Sequence, residues 1–147
     1  MAIVDDLKQA HDEILDCIGS FSDDELDRCN TIGKWSARDV ILHMTMWDGE
    51  VLKALAIWRT GHDYDWTYAE EYLKFNEFWH ETLEKLTAKQ VVQMFNLTRA
   101  ALTADTSCVS DSIWKKRGEP TWLRGISIKH DGLHLKKLQE YQKSLGK

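Results

Sequence analysis

Two histidines near the end of the chain have the spacing of a helical metal site. His130 and His134 stand four residues apart, and on an α-helix that spacing puts both imidazoles on one face, one turn apart. A helix can offer two nitrogen ligands to a single metal ion in this way. Because such pairs also occur by chance, the spacing alone is weak evidence for a metal site.

A third histidine strengthens that hypothesis. His43 lies between Val40 and Trp47 on the apolar side of a predicted helix. A single histidine there is more often a core residue than a ligand, but three inward histidines from two helices are costly to bury unless something binds them. One ion shared by three neutral nitrogens removes that cost. We therefore predict a metal site formed by His43, His130 and His134.

The other histidines are weaker candidates. His11 also falls on an apolar stripe and is kept as a reserve ligand, ranked lower because no second ligand lies near it in the sequence. His62 lies in a predicted loop, and His80 follows Trp79 on a side expected to be exposed. Both are interpreted as surface residues.

Two further residues share the predicted helix face of His43, four and seven positions on. Trp47 either walls a substrate pocket or simply packs in the core. Glu50 is either a hydrogen-bond partner of a ligand, a general base toward a water at the ion, or a solvated helix residue. Asp131 follows His130 directly but is rotated by about 100° on an α-helix, and we expect it at the surface.

The elements that position these side chains are predicted to be helices. Apolar residues recur at three- and four-residue steps in every long segment, and the chain has a single proline, Pro120. No segment alternates as a strand of useful length would. We predict an all-α fold of four main helices and an additional short one. The apolar-patterned segments from which it is built are Ile3–Ile18, Ser36–Gly61, Tyr68–Leu86, Thr87–Ala104 and a final helix from Gly125 through Tyr141.

Three capping boxes mark expected helix starts, and one long connection separates the last two helices. The boxes pair Ser22 with Glu25, Ser36 with Asp39, and Thr87 with Gln90. The stretch from Asp105 to Arg124 is predicted to be irregular, with a turn of helix between Asp111 and Lys116. Ser36 is the most useful of these signals, because it begins the helix that carries His43.

Composition and charge exclude several classes of function. The chain has 147 residues, with 19 Lys and Arg against 24 Asp and Glu, and its formal net charge of −5 argues against a general nucleic-acid binder. No segment approaches the ~18 apolar residues of a membrane span, and the acidic N-terminal segment is unlike a signal peptide. Three widely spaced cysteines are typical of free thiols in a reducing compartment. We expect one cytoplasmic domain, residues 1–147.

Two segments resemble the DinB-like (damage-inducible) superfamily. GKWSARDVILHMTMW is similar to the family's second-helix signature, in which a Trp-Ser pair, a His and a Trp recur in order; here these are Trp35, Ser36, His43 and Trp47. KHDGLHLKKLQEY resembles the family's closing H-x-x-x-H helix, with His130 and His134. Shorter matches resemble the subgroup related to the colibactin self-protection protein: WRTG at 58–61, Asn76 with Trp79, and TWLRG at 121–125.

The resemblance implies an up-down-down-up four-helix bundle that holds zinc or nickel on His43, His130 and His134. Relatives hydrolyse a strained electrophilic ring or transfer low-molecular-weight thiols such as bacillithiol and mycothiol, and many have no known activity. We expect a metal-dependent enzyme that acts on a small electrophile, by hydrolysis or thiol transfer, in detoxification or stress protection. One alternative is a non-catalytic bundle that sequesters its ligand or the ion. Another is an interaction scaffold with core histidines, and exposed tryptophan-rich faces would favour a homodimer.

Overall fold

A computed structural model describes residues 2–147, and this part of the chain is all-helical. Within it there is no strand, only an isolated bridge between Ile32 and Trp35. The helices are α1 Ala2–Ile18, α2 Asp23–Asp27, α3 Ala37–Trp58, α4 Thr67–Glu70, α5 Tyr72–Thr82, α6 Ala88–Ser107, α7 Asp111–Arg117, α8 Thr121–Arg124 and α9 Asp131–Ser144, with a π-helical segment Gly125–His130 that joins α8 to α9. The predicted all-α fold class is confirmed for these residues.

All three predicted capping boxes are present. In each box the N-cap hydroxyl accepts a hydrogen bond from the third backbone N–H of the helix, and the side chain at that position accepts one from the N-cap N–H. These bonds satisfy helix donors that would otherwise lack partners. They begin α2 at Ser22, α3 at Ser36 and α6 at Thr87.

The predicted helix over Tyr68–Leu86 is wrong in its continuity and its end. It is two short helices, α4 and α5, separated by Glu71 at φ −81° and ψ 58°, outside the helical region. The second of them ends at Thr82. The guanidinium of Arg38 donates to the carbonyl oxygens of Leu83 and Leu86, at 2.6 and 2.8 Å, and so satisfies backbone acceptors beyond the helix end.

The connection predicted to be irregular is mostly helical. α6 continues to Ser107, the seven-residue α7 follows, and α8 then runs through the π-helical segment into α9. The Ser110 hydroxyl caps α7 by accepting from the Ile113 N–H, and Gly118 ends it at φ 72°, a conformation that favours glycine. Pro120 is the N-cap of α8, a position just before the helix where no internal N–H bond is lost.

The core consists of two hydrophobic clusters along the same helices. α3 packs along α6, and α1 packs against α9 and α6. The first cluster includes buried side chains such as Ile14, Val40, Phe95 and Leu138; the second includes Leu7, Val51, Leu102 and Leu123. None of the helices in residues 2–147 is long and apolar enough to cross a membrane.

A buried polar layer lies at the boundary of the two clusters. The guanidinium of Arg99 on α6 donates through Nε to Asp48 of α3 at 2.9 Å, through Nη1 to the Leu7 carbonyl of α1 at 3.2 Å, and through Nη2 to Asp131 of α9. The Ser127 hydroxyl in the π-helical segment donates to the other Asp48 oxygen at 2.8 Å. The surface position expected for Asp131 is wrong: its side chain is 1% exposed, because it lies on the same buried face of α9 as His134 and Leu138, three and seven residues on.

Candidate metal centre

Three histidines from α3 and the C-terminal helical segment meet in the interior. His43 Nε2 lies 3.1 Å from His130 Nε2, and His134 Nε2 lies 3.0 Å from the same atom. One ligand nitrogen from each ring lies within 4.8 Å of the others. His43 and His134 are buried, and His130 is half-buried. The structure therefore brings together the three residues that the sequence predicted as ligands.

The helices explain why these rings converge. The Ser36 capping box sets the start of α3, and His43 lies two turns beyond it on a helix whose other side chains in that stretch, except the partly exposed Asp39, are buried. His130 is the last residue of the π-helical segment and His134 follows one turn later in α9. A π-turn is wider than an α-turn and occurs often at functional sites. Here it is held by the bond from Ser127 to Asp48.

Burial keeps all three imidazoles neutral. Desolvation, followed by the neighbouring histidines, lowers the pKa of His43 from 6.5 to about 3. Desolvation, then His130 and Lys137, lowers the pKa of His134 to about 4, and desolvation with Lys137 lowers the pKa of His130. A neutral ring is the form that binds a metal ion. At neutral pH the cluster thus presents unprotonated nitrogens.

The tautomer of His43 follows from its partner Asn76 on α5. Trp47 Nε1, which can only donate, lies 3.1 Å from Asn76 Oδ1, so this amide atom is an acceptor. His43 Nδ1 lies 3.1 Å from the same oxygen and must donate to it. The proton is therefore on Nδ1, and Nε2 presents a lone pair to His130. The position of this proton is assigned from the hydrogen-bond network.

The arrangement fits a divalent metal ion. Metal–nitrogen bonds of about 2.0–2.1 Å in a tetrahedral site place neighbouring nitrogens about 3.3–3.4 Å apart, close to the 3.0 and 3.1 Å found between the Nε2 atoms. The Nδ1 atoms of His130 and His134 are buried and have no hydrogen-bond partner among the described residues. Three protein nitrogens with one open position make the catalytic type of metal site rather than the closed structural type.

A cavity of about 430 Å³ opens beside two of the three histidines. Its walls include His43, His130, Trp47, Tyr72 and Ile126, with Glu70 among the lining residues. Trp47 thus lines the cavity, and its ring centroid lies 4.6 Å from that of Phe75. A ligand bound in this space would be in reach of the histidine cluster and would contact mainly apolar and aromatic surface.

Glu50 is buried against Tyr64 and Lys53 and not beside the histidines, although it shares the predicted helix face of His43. One carboxylate oxygen accepts from the Tyr64 hydroxyl at 2.5 Å and the other from Lys53 Nζ at 2.5 Å. Its side chain is 2% exposed, so it is not a solvated residue. It does not line the cavity beside the histidines, and a catalytic role for Glu50 stays a prediction.

The remaining histidines lie outside the cluster. His11 packs against Phe95 with its ring tilted by 38° and 4.7 Å between ring centroids, and it lines a separate cavity of about 480 Å³ between α1 and α6. His62 is exposed, as expected. His80 is partly buried against Trp35, so its expected surface position is wrong.

Sequence reasoning did not assign a site contact to Asn76. Asparagine is a poor residue for a helix interior, and Asn76 stands in the middle of the aromatic-rich α5. That mismatch and the resemblance that includes Asn76 with Trp79 were signals at this position, but neither indicated a contact with His43. The contact itself depends on how α5 packs against α3, which the residue pattern does not specify.

Comparisons of the chain with protein-family models, with curated proteins and with solved structures found no match.

Proposed function

We propose that the chain is a DinB-like, metal-dependent enzyme that acts on a small electrophile in detoxification or stress protection. The observation that carries the proposal is the convergence of the His43, His130 and His134 Nε2 atoms beside an apolar cavity. The two sequence motifs that resemble the superfamily supply these same residues. In the same proposal the long helices α1, α3 and α6 and the C-terminal helical segment correspond to an up-down-down-up four-helix bundle.

The proposed cofactor is a divalent ion, zinc or nickel, since imidazole nitrogen suits both. In a three-nitrogen site such an ion supplies Lewis acidity toward a water, a thiol or a carbonyl oxygen. The protein's part is to hold His43, His130 and His134 neutral and convergent, and to line the cavity beside them with the side chains of Trp47 and Ile126.

The cavity favours hydrolysis of a neutral electrophile over transfer of an anionic thiol. No lysine or arginine lines it within the described part of the chain, and its one carboxylate, Glu70, would repel the carboxyl groups of many low-molecular-weight thiols. The aromatic rings of Trp47 and Tyr72 offer surface for an apolar body. A neutral substrate with one polar, reactive end is the best match to these walls.

A second candidate is a non-catalytic protein that sequesters its ligand. The position of Glu50 favours it, because both oxygens of the predicted general base are occupied by Tyr64 and Lys53, away from the cavity. A site that holds an ion and a ligand without a nearby base can bind without turning over. The two candidates share the same metal site and differ in whether product forms.

Elemental analysis of purified, untagged protein tests the metal site. We expect close to one zinc or nickel per chain, and loss of the ion in His43→Ala, His130→Ala and His134→Ala. His62→Ala, His80→Ala and His11→Ala are the matched controls and should keep it. If His11→Ala loses the ion and His43→Ala does not, α1 supplies a ligand and the proposed triad is wrong.

Turnover separates the two candidate functions. The metal-loaded protein is mixed with a model electrophile such as monochlorobimane, with and without a low-molecular-weight thiol, and product is followed by fluorescence and mass spectrometry. Hydrolysis that disappears in His130→Ala supports the enzyme. Stoichiometric binding without product supports sequestration.

A further inference from the structure

Asn76 joins two elements at the histidine cluster. Its Oδ1 atom accepts hydrogen bonds from His43 Nδ1 and Trp47 Nε1, both at 3.1 Å. The two donors lie on α3, whereas Asn76 lies on α5. The amide oxygen is therefore saturated by α3, and it is the only partner found for His43 Nδ1 among the described residues.

Without this acceptor the cluster has another way to arrange its protons. A neutral imidazole carries one N–H, on either nitrogen. If the proton of His43 moved to Nε2, that N–H would face His130 Nε2 at 3.1 Å and would close a hydrogen bond within the cluster. The nitrogen needed by an ion would then be blocked. With Asn76 in place this arrangement is disfavoured, because it would set the lone pair of Nδ1 against the lone pairs of the amide oxygen.

We propose that Asn76 is a positioning residue that holds His43 in the tautomer protonated on Nδ1 and so keeps Nε2 free for the metal ion. The role of the ion rests on the proposed function, whereas the tautomer of His43 rests only on the hydrogen bonds of Asn76. Partners of this kind on metal-binding histidines typically account for 10–100-fold in metal affinity.

The same two bonds hold α5 over the cavity. Phe75 is the one side chain of α5 that is fully buried, so few apolar contacts keep this helix in place. Its neighbours Tyr72 and Leu73 are largely exposed. We infer that an ion on His43, by fixing the Nδ1–H donor, also stabilises the seating of α5 on α3.

The tautomer is tested on metal-free protein by long-range ¹H–¹⁵N NMR of the imidazole rings. The parent should show His43 protonated on Nδ1, and Asn76→Leu should lose that state. Asn76→Asp keeps an oxygen acceptor and should retain it. Asn96→Leu is the matched control, a half-buried asparagine on α6 whose Oδ1 has no hydrogen-bond partner among residues 2–147. If Asn76→Leu keeps the Nδ1–H form in a folded protein, the proposal is overturned.

Metal affinity and amide exchange provide the second test. By Zn²⁺ competition with a chromophoric chelator, Asn76→Leu should bind about 10–100-fold more weakly than the parent, with Asn76→Asp and Asn96→Leu close to the parent. Zn²⁺ should slow amide hydrogen exchange in residues 72–82 of the parent but not of Asn76→Leu. Equal affinity in Asn76→Leu and the parent contradicts the role toward the ion. If the parent binds no Zn²⁺ while its tautomer depends on Asn76, the proposed function fails and the positioning of His43 stands.

Discussion

Two buried polar clusters draw on the same two stretches of the chain. They differ in how many of their polar groups find a partner of opposite character within the cluster. In the first, Arg99 on α6 pairs with Asp48 and Asp131. In the second, His43 and His134 surround His130, the residue directly before Asp131. Both clusters combine α3 with the C-terminal helical segment. One is made of opposite charges, and the other of three neutral rings of the same type.

The comparison separates a structural role from a binding role. The guanidinium of Arg99 offers donors that the two carboxylates and the Leu7 carbonyl accept, so each charge in that cluster is paired within it. Asp131 Oδ1 is its one carboxylate oxygen without a hydrogen-bond partner among residues 2–147. In the histidine cluster, nitrogens that can accept face one another while buried Nδ1 atoms lack partners. Burial of polar groups is therefore not itself a sign of a binding site. Three imidazole nitrogens that converge on one point, as the Nε2 atoms do, are such a sign.

The largest effect we predict is on the free energy of unfolding, when the Arg99 cluster is broken. Arg99→Met leaves two carboxylates buried without their cation, and breaking a buried pair in this way typically costs about 3–5 kcal/mol. Urea unfolding followed by circular dichroism should show that loss in the free energy of unfolding. The control is Arg59→Met, which breaks the half-exposed pair with Asp105 and should cost about 1 kcal/mol or less. Equal losses in the two variants would contradict the structural role of Arg99.

An ion bound to the histidine cluster should raise the free energy of unfolding. At free Zn²⁺ of 100 times the dissociation constant, a ligand that binds only the folded state stabilises it by about 2.7 kcal/mol. We expect that gain in the parent and in His62→Ala, and its loss in His130→Ala. Unfolding measured with Zn²⁺ and with EDTA gives the difference directly. A gain of the same size in His130→Ala would mean that the ion binds elsewhere.

A smaller effect should come from the bond that ties the π-helical segment to the structural cluster. Ser127→Ala removes the hydroxyl that donates to Asp48 and leaves one buried carboxylate oxygen without that partner. Such a loss costs about 1–3 kcal/mol. Because the segment ends at His130, Zn²⁺ affinity should fall as well. A stability loss with unchanged affinity would show that Ser127 does not position the histidine.

How much of this could be predicted from the sequence depends on whether a feature is local. The four-residue histidine spacing and the Ser36 capping box are local signals, and both led to the correct placement of His130, His134 and His43. The surface prediction for Asp131 considered only its rotation of about 100° from His130, whereas Asp131 lies three residues before His134, on the one buried face of α9. The contact of Asn76 depends on the break at Glu71 and on packing between helices, and neither has a periodic signature.

The smallest effect we predict is on the free energy of unfolding at acid pH, because the histidine cluster and the Arg99 cluster change it in opposite directions. In metal-free protein the pKa of His43 is lowered to about 3 and that of His134 to about 4, so the unfolded state binds more protons below about pH 6.5. Their contribution to stability is lost as the pH falls from there toward 4. Burial raises the pKa of Asp48 and of Asp131 above 3.8, so the folded state holds protons that the unfolded state releases, and acid favours it.

These opposite signs can be separated by two substitutions. His43→Gln should make the loss of unfolding free energy between about pH 6.5 and pH 4.5 shallower, because one histidine no longer has to stay neutral in the folded state. Asp131→Asn keeps an oxygen for Arg99 but cannot take up a proton, so the loss should become steeper. Urea titrations of the EDTA-treated proteins at several pH values measure both slopes. Slopes that change in the same direction in the two variants would contradict the assignment, because a shared direction cannot arise from one base with a lowered pKa and one acid with a raised pKa.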